Sequence, residues 1–132
     1  RRLGLQPRDT ESDGAFITDL FGFLAASKAS YEQFFFDWRG GALSAERAAR
    51  SPSAEFYASE AFRPVADGFE HYAPAADVNL DHAYFAQDKP RTMLIEEMEA
   101  IWAPIAERDD WTLFQSTLAE IAVMRDAYGI IP

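Results

Sequence analysis

The 132-residue chain contains no cysteine, which excludes disulfides, thiolate zinc sites and thiol nucleophiles. It has two histidines, His71 and His82, no nucleophile motif and no glycine-rich phosphate loop. An independent active site therefore has no visible parts. No apolar run approaches the roughly 20 residues that a membrane-spanning helix needs. Residues 51–132 hold five basic side chains against fifteen acidic ones, with no Lys/Arg cluster among them. Neither nucleic acid nor a membrane is expected as a partner. A chain without cysteine suits a reducing compartment, and the expected location is the cytoplasm.

What is present is apolar and aromatic. Hydrophobic residues make up 48% of the chain and aromatic ones 14%, with eleven Phe, five Tyr and three Trp, enough to build a core. A chain of this length is one domain that buries roughly two thirds of its unfolded surface. The net charge of −10 is placed unevenly. Residues 1–50 balance seven basic against seven acidic groups, so the whole excess lies in the second part, where it reads as a solvated acidic face.

Periodicity predicts an all-α fold, a compact domain of about five or six short-to-medium helices. Arg1–Leu5 reads as a helix tail closed by Gly4, and the absence of an initiator Met suggests a fragment. A polar loop over 6–14 leads to a helix over 15–27, capped by Asp13. Its stripe is Phe16, Ile17, Leu20, Phe23 and Leu24, and Gly22 marks a place for close packing. Ser30 and Gln33 have capping-box spacing before YEQFFFDWR, a helix apolar almost all round through Tyr31, Phe34, Phe35, Phe36 and Trp38. Such a helix belongs in the core, or under a covering partner. Gly40-Gly41 ends it; Ser44 opens AERAAR, Ser51-Pro52 opens a helix marked by Phe56, Tyr57 and Phe62, and Pro64 restarts the chain.

After an ordered loop over 75–90, Lys89 and Pro90 are placed at the start of the next helix. Leu94, Met98, Ile101 and Ile105 form its stripe, and Pro104 introduces a kink. Beyond the ERDD corner, capped by Asp110, a last helix carries Trp111, Phe114, Leu118, Ile121 and Tyr128 and stops at Gly129. The two stripes are expected to bury against each other as an antiparallel hairpin.

Few groups offer chemistry. Asp77-x-Asn79-x-Asp81, with Asp88 at the twelfth place, imitates a calcium loop but has His82 where the turn needs Gly, so a turn role is the plainer reading. Glu96, Glu97 and Glu99 are split around their helix, which favours a dipole role over a metal site. Arg125 falls on the apolar stripe of the last helix, placed to bond terminal carbonyls or pair with Glu97. No catalytic, cofactor-binding or metal-ligating residue is assigned within residues 1–132.

Three stretches carry a family likeness: RRLGL with its polar loop, FITDLFGFLAASKASYEQFFFDWRG, and KPRTMLIEEMEAIWAPIAERDDWTLFQSTLAEIAVMRDAYG. Together they resemble the C-terminal region of the selenoprotein O family, known in bacteria as YdiU. The last stretch departs from the family pattern: Lys89 stands where Asn precedes the proline, Glu96-Glu97 where Arg-Asn is common, and Ala127-Tyr128 where Pro-Tyr is usual. The C-terminal selenocysteine or cysteine of some members is also absent.

The resemblance implies a longer protein with a kinase-like (pseudokinase) core that transfers AMP from ATP to protein Ser, Thr or Tyr, using Mg or Mn. Its nucleotide and metal residues would lie in that upstream core, which becomes the expected partner of this region, together with protein substrates. The alternative is a free-standing acidic helical module that holds a partner protein.

Overall fold

Aromatic side chains at helical spacing determine where the chain folds back on itself. The computed structural model describes residues 1–130, which form seven α-helices and no strand among the described residues. The helices are α1 (Thr10–Ser27), α2 (Tyr31–Asp37), α3 (Ala45–Ala48), α4 (Ala54–Tyr57), α5 (Arg63–Phe69), α6 (Ile95–Arg108) and α7 (Thr112–Ala127). Short 3-10 turns occupy Gly41–Ser44, Glu60–Phe62 and Ala83–Ala86.

The all-α expectation holds, while several boundaries move. Helix α1 starts five residues before the expected position, because Asp9 rather than Asp13 is its N-cap, accepting from the Ser12 backbone N–H at 2.8 Å. Asp13 instead accepts from the Tyr72 hydroxyl at 2.7 Å and from the Arg8 N–H. Ser30 caps α2 through the Gln33 N–H. The Gln33 side chain does not reach back to complete the box, because it is committed elsewhere, as described below. Helix α4 opens at Ala54, and Ser51 forms a turn by accepting from the Ser53 N–H. Helix α6 opens at Ile95, not Pro90, since Glu97 accepts from the Leu94 N–H at 3.0 Å. It runs on through Pro104 to Arg108. The N-cap of α7 is Trp111 and not Asp110, which lies one residue earlier and accepts from the Thr112 N–H in a local turn.

The core has two parts. The larger joins Phe16, Leu20, Phe23 and Leu24 of α1 to Phe34 and Trp38, then to Phe62, Val65 and Phe69. Trp38 stacks on Phe69 with centroids 4.9 Å apart and planes 12° from parallel. Fully burying side chains of this size contributes about 1.5–3 kcal/mol each. The close approach expected at Gly22 occurs instead at Gly68 on α5: a Cβ at Gly22 would meet nothing, whereas one at Gly68 would run into the Phe16 ring. The smaller part packs Phe36 with Tyr84, Phe85 and Ala127, and Met124 and Tyr128 lie against it. It anchors the C-terminal end of α7 to the body.

The mutual burial expected of the last two helices does not form. Helix α6 has no buried residue, and α7 buries only Thr117 and Ala127. Trp102 is 63% exposed and Leu118 50%.

Candidate functional site

A carboxylate inside an aromatic helix needs donors, because an unpaired buried charge is costly. Asp37, on α2 between Phe36 and Trp38, is fully buried. It accepts from the Tyr57 hydroxyl at 2.7 Å, from Gln33 Nε2 at 2.8 Å and from the Ser51 hydroxyl. Gln33 spends its other amide hydrogen on the Asp88 carbonyl, also at 2.8 Å. Arg47 donates to the Phe36 and Asp37 carbonyls, satisfying the end of α2. Burial pushes the Asp37 carboxyl above its ordinary value, outweighing the three hydrogen bonds and the nearby Arg47 charge, which pull it down. Burial, reinforced by the bond to Asp37, likewise holds the Tyr57 hydroxyl well above the usual tyrosine range. The groups satisfy one another and act as a knot joining α2, α3, α4 and the 88 loop. Asp37, Arg47 and Ser51 also line a small cavity of about 90 Å³ with Phe85 and Asp88.

Arg39 is the second buried charge. Its Nη1 donates to the Arg1 and Arg2 carbonyls, and its guanidinium lies over the Tyr128 ring. Burial lowers its pKa, against the opposing pull of Tyr128 and Asp77. It lines a cavity of about 600 Å³ together with Arg1, Arg2, Arg91, Tyr84 and Tyr128. Two of those cations are already paired: Arg2 with Glu32 at 2.8 Å, and Arg91 with Glu97 and Glu120 at 3.7 and 3.3 Å.

The third feature is the open groove between α6 and α7, a cavity of about 560 Å³. Met98, Ile101, Trp102 and Ile105 line it from α6; Phe114, Leu118 and Ile121 line it from α7, with Trp111 at the corner. Trp111 is held by its indole N–H, which donates to Asp109 at 2.8 Å, and packs edge-on against Phe114. Glu99 is the carboxylate on its lining.

A separate apolar cavity of about 590 Å³ lies beside the first residues, between Leu3, Leu5 and the Ile17–Phe21 face of α1, with Phe35. It shares no lining residue with the α6–α7 groove.

The groups singled out in the sequence have plain roles. Asn79 accepts from the Asp81 N–H, a local turn. His82 Nδ1 accepts from the Tyr84 N–H. Glu97 takes Arg91 as its cation rather than Arg125, because it also accepts from Thr92 and the Leu94 N–H at the start of α6. Arg125 Nε is buried with no acceptor among the described residues. Among the described residues no three His, Cys, Asp or Glu side chains converge as metal ligands would. No helix among them is long and apolar enough to cross a membrane.

Sequence reasoning passed over Asp37, Arg39 and Arg47, and read Ser51 as a helix start rather than as a donor to Asp37. A signal for Asp37 was available, since a carboxylate in the FFFDW run has no exposed face to occupy.

A family model described as protein adenylyltransferase SelO matches residues 1–122. No curated protein and no solved structure matches the chain.

Proposed function

The chain belongs to the SelO family of protein adenylyltransferases, and from that membership we propose that it is the helical C-terminal region of a longer enzyme. That enzyme would transfer AMP from ATP to protein Ser, Thr or Tyr in the cytoplasm, with Mg or Mn. The region itself is structural or substrate-contacting and not catalytic. The family match across residues 1–122 carries this reading. The buried polar groups support the non-catalytic part, because Asp37, Ser51, Tyr57 and Gln33 are occupied with one another. The nucleotide and metal residues of that enzyme would lie in its kinase-like core, upstream of these residues.

The kinase-like core is the proposed partner. The apolar face around Ile17, Phe21 and Phe35, beside Arg1, is the surface suited to it. Ile17 and Phe21 are 51% and 43% exposed, a face that favours cover by further protein.

Transfer of labelled AMP from ATP to protein, assayed with the longer polypeptide and with the 132-residue chain, tests the proposal. Labelling by the longer protein and none by the chain alone is the expected result. Labelling by the chain alone would overturn the non-catalytic role. A native protein of about 15 kDa that starts near Arg1, with no kinase-like core encoded before it, would leave the second reading. That reading is a free-standing interaction module, and the exposed aromatic groove between α6 and α7 favours it.

A further inference from the structure

The α6–α7 groove has the composition of a protein-binding hot spot. Trp102, Trp111, Phe114 and Met98 are 63%, 44%, 36% and 52% exposed, and aromatic and Met side chains are enriched where partners dock. The groove runs between two helices of 14 and 16 residues, a geometry that accepts an amphipathic helix laid along it.

Charge selects the occupant. Residues 91–126 carry eight carboxylates and three arginines. Arg91 is neutralised by Glu97 and Glu120, and Arg108 pairs with Glu107. Glu96 and Glu99 are exposed, with no cation within bonding distance among the described residues. A second copy would set its own Glu99 and a net charge of −10 against the same surface, which repels it. A helix with one apolar face and flanking Lys or Arg complements both features of the groove.

We infer that the groove between α6 and α7 docks a basic amphipathic helix of a separate protein. This goes beyond the packing role proposed above, which uses the face near Ile17 and Phe21. The two stand or fall by different measurements, AMP transfer for one and helix binding for the other.

The test titrates the 132-residue chain with a Trp-free synthetic peptide of about 18 residues, Leu at helical spacing and Lys elsewhere. Two control peptides accompany it: one with Glu for Lys, and one of the same composition scrambled to abolish the apolar face. Only the basic amphipathic peptide is expected to bind, shifting Trp emission to the blue as Trp102 and Trp111 are covered. Affinity should weaken at high salt, and about tenfold or more in Trp102→Ser, followed by calorimetry. Leu118→Ser gives a second variant at a half-exposed site, and Glu99→Lys should also weaken binding. Equal binding of either control peptide, or unchanged affinity in the folded variants, would overturn the inference. So would dimerisation of the chain through the groove in sedimentation, or protection of Trp102 by the longer protein's own residues in oxidative footprinting.

Discussion

The guanidinium of Arg39 lies 4.6 Å over the ring of Tyr128, joining the segment after α2 to the residue that ends α7. Tyr128 also packs edge-on against Tyr84 and Phe85, with centroids at 5.8 and 5.5 Å. This cluster holds the last helix to the body, while the remainder of α7 stays largely exposed.

Tyr128→Ala should therefore lower stability by about 2–4 kcal/mol, with Tyr128→Phe much milder, as read by urea unfolding. Burial pushes the Tyr128 hydroxyl up to about 12. A raised folded value favours the protonated native state, so this contribution is complete below the ordinary value of 10.0 and is lost as pH rises toward 12. Tyr128→Phe should flatten the alkaline fall in stability over that window.

Asp37→Ala leaves the Tyr57, Ser51 and Gln33 donors without their shared acceptor. The expected loss is about 3–5 kcal/mol, measured by chemical denaturation. Asp37→Asn keeps the volume but presents an amide donor to groups that also donate.

The raised Asp37 value has a sign opposite to that of a typical ion-paired carboxylate. The native state holds the Asp37 proton more tightly, so acidification through the folded value toward 3.8 relieves the cost of burying the charge. The Tm gap between the wild-type chain and Asp37→Asn should widen from pH 7 to about pH 4 on this linkage. Asp9, Glu97 and Asp110, all lowered chiefly by hydrogen bonds to backbone N–H groups or nearby hydroxyls, appear in both proteins and cancel in the comparison.

Two glycine-to-alanine substitutions should move stability in opposite directions. At Gly68 the added methyl enters the Phe16 ring, so α1 and α5 must separate, at a cost of about 1–3 kcal/mol. At Gly22 the methyl meets nothing, and helix propensity alone should stabilise by about 0.5–1 kcal/mol. Thermal unfolding of the two variants against the parent decides both; a Gly68→Ala chain as stable as the parent would mean that the α1–α5 contact is loose.

Pro104→Ala should slow hydrogen exchange along α6. The helix runs through Pro104, whose missing N–H leaves the Ala100 carbonyl without its helical partner. Helix α6 buries no side chain, so local backbone bonding decides its opening more than packing does.

Local chemistry was legible wherever neighbours in the sequence settle the outcome. The spacing of Phe16, Ile17, Leu20, Phe23 and Leu24 announced a buried stripe, and all of them but Ile17, which stays exposed, are buried. Ser30 announced a cap, and the FFF/W run a core helix in which Phe34, Phe36 and Trp38 are buried. The family was also legible, because its likeness rests on helix endings and aromatic order, which survive in the linear chain.

Tertiary structure decided what depends on residues far apart in sequence. Asp9 competes with Asp13 for the cap of α1, and Tyr72, 59 residues on from Asp13, takes Asp13 out of that role. Gln33 abandons the capping box because Asp37 and the Asp88 carbonyl offer buried bonds, which are worth more than an exposed one. Two amphipathic stripes separated by a short corner announced a closed pair, yet periodicity records only that a face is apolar. It does not record what covers that face. The stripes of α6 and α7 line an open groove, because α7 is held to the body at its far end through Ala127 and Tyr128 and α6 buries nothing.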